Sequence, residues 1–227
     1  MSVIQALIFD LDGVLADTLP LHFRAWQHLA TQHNIPLEDD AFEQFRGRHS
    51  RDSLAALFAE QVLSDDQIEH YLRIKNEHYL AQIEAIELNA LLADGAYDLI
   101  HTAKATGLKV GVASSSTNTH KLIEKVGLQS QFDVIADGFT VQQPKPAPDI
   151  FLWVADALGV EPSSCIVFED SSVGVEAAHT AGMVVIGISP VADPLPHTHL
   201  TLASLKDFDL NVFRQDKVIT GSDDARN

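Results

Sequence analysis

The chain opens with a short apolar run, Ile4–Phe9, that stops at Asp10. A run too short for a helix and bounded by polar residues predicts a fully buried strand. Residues 20–88 then follow helical periodicity only. Pro20–His33 places Leu21, Ala25, Trp26, Leu29 and Ala30 on one helix face. Ser50–Leu63 repeats the pattern with Leu54, Leu57 and Phe58. Ser64 and Gln67 form a capping box that opens a helix running to about Ile86. From about residue 95 strands and helices alternate. Strands are expected over Leu108–Ala113, Phe132–Ala136, Cys165–Phe168 and Val184–Ile188. Helices are expected over Thr119–Val126, Asp149–Leu158 and Val173–Ala181, closed by Gly127, Gly159 and Gly182. This alternation predicts an α/β fold: a doubly wound, Rossmann-like parallel sheet covered on both faces. The helical block becomes an insertion after the first strand. The expected organisation is a discontinuous core, 1–15 and 89–227, with an all-helical cap domain over 16–88. The polar tail after Phe213 is expected to fray.

Composition narrows the class. With 46% apolar residues in 227, the chain can bury a core without staples. The single cysteine, Cys165, excludes an internal disulfide and fits a reducing, cytoplasmic setting. The N-terminus lacks a basic region, and Asp10 cuts its apolar run, which argues against a signal peptide. No stretch is long enough to span a membrane. A net charge of −17 disfavours nucleic acid and anionic membrane surfaces as partners. Against this acidic background three of the seven arginines, Arg46, Arg48 and Arg51, fall within six residues.

In open parallel sheets, ligands bind beyond the carboxyl ends of the strands. The residues expected there are Asp10 and Asp12 after the first strand, and Ser114, Ser115 and Ser116 after the second. Lys145 follows the third, and Glu169, Asp170 and Ser171 follow the fourth. Packed carboxylates repel and call for a hard cation; oxygen ligands suit Mg²⁺. With cation and lysine neutralising a phosphate, one carboxylate can attack phosphorus. A second carboxylate two residues on can serve the leaving or entering oxygen as general acid and base. Taken singly, each feature has a plainer reading. Aspartates after strands cap loops, serines cap helices, and a lysine between prolines can be solvated. A calcium loop at Asp10-Leu11-Asp12-Gly13 lacks the ligands that should flank the glycine. His22 could be exposed, Trp26 could be core, and Lys75 could snorkel from its apolar stripe of Ile68, Leu72, Tyr79 and Ile86.

Taken together, the four segments resemble the four motifs of the haloacid dehalogenase-like hydrolase superfamily. Asp10-Leu11-Asp12-Gly13-Val14 matches the first, Ser114 the second, Lys145 the third and Glu169-Asp170 the fourth. Within it, the chain is most similar to the β-phosphoglucomutase branch. The similarity lies in Asp17-Thr18, His22-Phe23-Arg24-Ala25-Trp26, Lys75-Asn76 with Tyr79, Ala113–Ser116 with Asn118, and Lys145–Phe151. The resemblance implies Asp10 as the nucleophile that becomes an aspartyl phosphate, and Asp12 as general acid/base. It implies Mg²⁺ held by Asp10, the Asp12 backbone carbonyl, Glu169 and Asp170. Ser114, Ser115 and Lys145 would hold the transferring phosphate. Thr18 would lie at the cap hinge. His22, Trp26, Gly47, Lys75, Ser116, Thr117 and Asn118 would bind substrate, with Arg51 or Arg48 gripping a second phosphate.

Two departures from the branch stand out. Gly47-Arg48-His49-Ser50-Arg51 has one residue more between its glycine and Ser-Arg, so either Arg48 or Arg51 could be the gripping arginine. Thr117 stands where the branch usually carries a lysine. His49 or the extra arginine could compensate. The implied reaction interconverts β-D-glucose 1-phosphate and D-glucose 6-phosphate through a 1,6-bisphosphate. The alternative is a Mg²⁺-dependent sugar- or polyol-phosphate phosphatase. Phosphonate and haloacid cleavage fit less well because they do not usually carry an acid at the Asp12 position, and intact acids argue against a non-catalytic module. The partner implied is a small sugar phosphate, and the resemblance suggests a monomer.

Overall fold

The computed structural model describes residues 3–59, 61–87, 90–189, 195–211 and 213. The tail expected to fray, after Phe213, lies outside them. Six strands form one parallel sheet: β1 (Ala6–Phe9), β2 (Lys109–Ala113), β3 (Val134–Ala136), β4 (Cys165–Glu169), β5 (Val184–Ile188) and β6 (Leu200–Leu202). Their order is β3-β2-β1-β4-β5-β6. β1, β4 and β5 are buried along their whole length, as continuous apolar runs in a doubly covered sheet should be. α4 (Ala96–Ala105), α5 (Thr119–Lys125), α6 (Asp149–Leu158) and α7 (Ser172–Thr180) cover the sheet. Two apolar clusters result, one around Leu7, Phe9, Val110, Val112, Ile166 and Phe168, the other around Ile8, Phe151, Val154, Val167 and Val185.

Between β1 and α4 lie α1 (Leu19–Gln32), a 3-10 segment (Asp39–Phe45), α2 (Ser50–Leu57) and α3 (Asp65–Ala85). They build a third cluster from Phe23, Trp26, Leu29, Phe45, Leu54 and Phe58. The Ser64/Gln67 capping box forms as expected. The two chain segments that join this block to the sheet cross side by side, Asp17 N–H donating to Leu91 C=O and Ala93 N–H to Leu15 C=O. Among the described residues, no helix is long and apolar enough to cross a membrane.

Three differences from the sequence pattern have local causes. α2 ends at Leu57 rather than Leu63, because the chain turns at Phe58, whose ring is buried in a stack on Tyr71. α4 and β6 are additional elements. α4 buries Ala96, Leu99, Ile100 and Ala103 on one face, but two of those four are alanines, which mark the face weakly. β6 is a partly exposed edge strand of three residues, too short to alternate.

Candidate active site

β1 sits at the switch point of the sheet, flanked by β2 on one side and β4 on the other. Phe9 pairs with both Val112 and Phe168, so Asp10, Ser114 and Glu169 leave the sheet at nearly the same level. Asp10 N–H still donates to Phe168 C=O. The chain then turns sharply: the N–H groups of Val14, Leu15 and Ala16 all point at Leu11 C=O. Gly13 makes that turn at φ 87°, and a Cβ there would lie 2.4 Å from Asp170 Oδ2. Glycine is required on both counts.

Lys145, in the loop before α6, is the electrostatic centre. Its Nζ donates to Asp10 Oδ1 (2.6 Å), Glu169 Oε1 (2.6 Å) and Ala113 C=O (3.0 Å). Burial opposes its charge, but the two carboxylates hold its pKa above the ordinary lysine value. Burial holds the Asp10 carboxyl well above the usual range against the pull of Lys145, with Glu169, Asp170 and Asp12 adding to the rise. Asp170 is pushed up to about 7 by burial and by Glu169, with Arg46 and Lys145 opposing.

These values mark a surplus of negative charge that a metal would relieve. The core contributes three buried carboxylates, Asp10, Glu169 and Asp170, against one buried lysine. The carboxylate charge, only partly met by Lys145 and by Arg46 from the cap, fits a divalent cation such as Mg²⁺ on hard oxygen ligands. The four donors expected are Asp10, the Asp12 backbone carbonyl, Glu169 and Asp170. Asp12's carboxylate faces the cap. Glu169 Oε1 is taken by Lys145, and Oε2 accepts from Asp170 N–H, Ser171 N–H and Ser171 Oγ. Among the described residues no three His, Cys, Asp or Glu side chains converge at ligand spacing. Of the expected set, Glu169 thus has both oxygens engaged, whereas the bond to Asp10 falls on Oδ1 and the bond to the Asp170 carboxylate on Oδ2.

Asp12 is held from the cap side. Its Oδ1 accepts from Thr18 Oγ1 (2.5 Å), His22 Nε2 (3.1 Å) and Tyr79 OH (3.4 Å). Lys75 Nζ lies 2.9 Å from His22 Nδ1. An ammonium can only donate, so His22 Nδ1 accepts and Nε2 carries the hydrogen toward Asp12. Burial would raise the Asp12 pKa, but His22, Thr18 and Lys75 bring it below the usual value. Burial lowers His22, and Lys75 adds to this against Asp12. The His22 ring stacks on Tyr79 at 3.9 Å. Burial pulls Lys75 down to about 8 against Asp12's attraction, and its ammonium lies 5.1 Å over Trp26 and 5.2 Å over Tyr79.

Three side chains, Arg46, Ser115 and Asn118, add further hydrogen bonds between the cap and the core. Arg46 Nη2 donates to Asp170 Oδ2 (2.8 Å) and Asp170 C=O (2.7 Å). Ser115 Oγ donates to Gly47 C=O (3.2 Å), and Asn118 Nδ2 to Asn76 Oδ1 (2.5 Å). Gly47, at φ 67°, is pressed so close that a Cβ would lie 2.1 Å from Ser171 Oγ. The enclosed cleft is lined by Asp10, Asp12, His22, Trp26, Arg46, Gly47, Arg48, Lys75, Ser114, Ser115 and Ser116, and its free volume is only about 60 Å³. Small-molecule sites hold roughly 300–1,000 Å³. The cap must therefore open to admit a ligand of that size.

Most of the expected residues meet at this cleft. Thr18 lies beside it, bound to Asp12. Asn118 stays at its margin, bonded to Asn76. Of the two candidate arginines only Arg48 lines the cleft; Arg51 lines a neighbouring cavity with His49, Asp137 and Phe139. Thr117 is absent from the cleft wall, and its methyl faces Gly138. Sequence reasoning assigned no role to Arg46. Its only local signal was membership of the arginine cluster.

Comparison with known proteins places these features in a family. The haloacid dehalogenase-like hydrolase profile matches residues 7–188. The chain is 33% identical over 216 residues to the β-phosphoglucomutase of Bacillus subtilis, covering 93% of this chain and 95% of that protein. It is equally 33% identical, over 181 residues, to a phosphorylated carbohydrates phosphatase of Thermotoga maritima, covering 79% and 82% of the two. Among solved structures, a β-phosphoglucomutase from Clostridium difficile superposes with a TM-score of 0.89 at 29% identity, covering 96% of this chain and all of that one.

Proposed function

The chain belongs to the haloacid dehalogenase-like hydrolase family, and on that premise we propose that it is a sugar-phosphate mutase, interconverting β-D-glucose 1-phosphate and D-glucose 6-phosphate. The observation that carries this reading is the partnership of Asp12. Its one bonded oxygen is held by Thr18, at the entry to the cap, and by two side chains of the cap helices, His22 and Tyr79. The acid/base group is thus aligned only when the cap is shut. A shut cap excludes water and favours a sugar hydroxyl as acceptor.

In this reading Asp10 attacks one phosphorus of the 1,6-bisphosphate, and the sugar oxygen, protonated by Asp12, leaves as part of a sugar monophosphate. The aspartyl phosphate then meets the other sugar phosphate. Asp12 takes the proton from its free hydroxyl, that oxygen attacks phosphorus, and Asp10 is released as the bisphosphate forms. The bisphosphate re-enters turned end for end and returns its other phosphate to Asp10. Lys145 neutralises Asp10 and the incoming phosphate, and Ser114 with nearby N–H groups receives phosphate oxygens. His22 and Lys75 keep Asp12 ionised until a proton is offered. Mg²⁺, held by Asp10, Asp170 and the Asp12 carbonyl, would supply charge neutralisation at the phosphate. Arg48, which lines the cleft, would grip the second phosphate. The protein would act in the cytoplasm as a monomer.

The alternative, a sugar- or polyol-phosphate phosphatase, draws on Thr117, which leaves the cleft without the lysine of the branch. One assay separates them: Mg²⁺, β-glucose 1-phosphate and a trace of the 1,6-bisphosphate. Glucose 6-phosphate is the expected product. Stoichiometric free phosphate would replace the mutase with the phosphatase, and retained turnover in Asp10→Asn would overturn both.

A further inference from the structure

A second cavity, of about 510 Å³, adjoins the catalytic cleft and shares only Ser115 with it. Its size falls within the range of small-molecule sites, roughly 300–1,000 Å³. Its walls come from both domains. The cap gives His49, Arg51 and Asp52, at the start of α2. The core gives Ser115 and the loop between β3 and α6, including Lys145. A cavity walled by two domains exists only while the cap is docked.

The apolar part of the wall is Val141, Pro144, Ile150 and the ring of Phe139. Phe139 is 76% exposed. A lone exposed phenylalanine is ordinary on a protein surface, but a fixed turn presents this one to the cavity. Its N–H donates to Asp137 Oδ1 (3.0 Å), and Thr140 N–H donates to Asp137 C=O (3.0 Å). Gly138 N–H donates to Ser116 C=O (3.0 Å), and a Cβ on Gly138 would lie 2.6 Å from the Ser115 carbonyl oxygen. The aromatic wall is thereby fastened to the segment that carries Ser114.

The polar part of the wall is made of planar groups: the Arg51 guanidinium, the His49 ring, the Gln142 amide and the Asp52 and Asp137 carboxylates. His49 Nδ1 accepts from Arg51 N–H (3.3 Å), which leaves Nε2 as the donor of the neutral ring. Against one arginine stand two carboxylates, and the charge of Lys145 is spent on Asp10 and Glu169. The wall therefore has no net positive charge to draw in a phosphate. An aromatic face ringed by planar donors and acceptors suits the C–H face and the hydroxyls of an uncharged sugar ring.

We propose that this cavity is an effector site for an unphosphorylated sugar, which bridges cap and core and holds the cap docked. A ligand that binds only the docked form shifts the population toward it. Chemistry inside the shut cap is left intact. The sugar instead slows the opening that substrate entry and product release require, and so acts as a brake on turnover. The inference is independent of the cation and of the choice between mutase and phosphatase.

The test reads affinity and cap position rather than turnover. Binding of D-glucose and of maltose is measured by titration calorimetry on the native chain, Phe139→Ala and Arg51→Gln, with sodium sulfate as the charged probe. Cap position is measured by electron–electron distance between spin labels at Glu69→Cys on the cap and Lys121→Cys on the core, both exposed positions. Cys165 is buried, and burial pushes its thiol up to about 12, so it stays unlabelled. At least one of the two sugars is expected to bind the native chain, with affinity falling about tenfold in each variant. Saturating sugar should raise the fraction of molecules at the docked distance, and the same concentration should do so far less in Phe139→Ala. No sugar binding, or binding that survives both substitutions, overturns the site. Loss in only one variant puts the sugar on a single wall and overturns the bridge. Sulfate binding that disappears in Arg51→Gln, with neither sugar bound, overturns the assignment to an uncharged ligand. Sugar binding with an unchanged distance overturns the effector role.

Discussion

Lys75 should cost the protein stability and supply activity, and the two can be separated by replacing it with methionine. Its side chain is 3% exposed, its ammonium contacts a neutral imidazole, and Asp12 attracts it only from beyond that ring. The pKa falls from the ordinary 10.5 to about 8. At about 1.4 kcal/mol per pH unit, the buried charge destabilises the folded chain by roughly 3 kcal/mol. Between pH 8 and 10.5 the unfolded chain holds the proton and the folded chain does not. Native stability therefore climbs with pH across that window relative to a chain without the lysine, and below pH 8 the deficit is constant. Methionine keeps the stem's volume and its contact with the Trp26 and Tyr79 rings. Lys75→Met should melt higher at pH 7 by about 6–12 °C, given roughly 2–4 °C per kcal/mol for a chain of this size. The gap should close toward pH 10. Turnover should fall about 100-fold or more with the loss of a cation from the cleft. The measurement is a pair of thermal melts across pH 6–10. A variant that melts lower at pH 7, or a gap that does not shrink above pH 8, would falsify the account of Lys75 as a buried, uncompensated charge.

Two further predictions concern neighbouring parts of the site. Asp12→Ala should block turnover yet change Mg²⁺ affinity little, because its side chain faces Thr18, His22 and Tyr79 rather than the cation seat; calorimetry revealing a loss as large as in Asp170→Ala would contradict this. Gly47→Ala puts a Cβ 2.1 Å from Ser171 Oγ at a positive φ, so the cap should fail to seat. kcat/KM should drop about 100-fold or more while the melting temperature moves little, and wild-type kinetics would show that seating is not needed.

Legibility along the chain followed the range of the signal. The buried strands, the capping box at Ser64 and the glycine helix ends were readable because each is written within a few adjacent residues. So was the convergence of Asp10, Ser114, Lys145 and Glu169, since a parallel sheet brings successive strand ends together whatever its details. α4 and β6 escaped because a buried face half made of alanine and a short edge strand carry weak periodicity. The arginine cluster was visible as composition, but its members were not distinguishable. Arg46, Arg48 and Arg51 differ in role only through the turn at Gly47 and the docking of that loop on Ser171.

The sequence by itself determined the architecture and which polar groups meet at the strand ends, because hydrophobic period and strand order are local and additive properties. Tertiary structure alone decided the state of those groups. It turned Asp12 toward the cap, gave both oxygens of Glu169 to Lys145 and the backbone, left Lys75 charged against its burial, and set Arg46 on Asp170. Charge and proton affinity depend on distances between side chains far apart in sequence, and on how much water remains between them. Those quantities exist only once the cap has closed on the core.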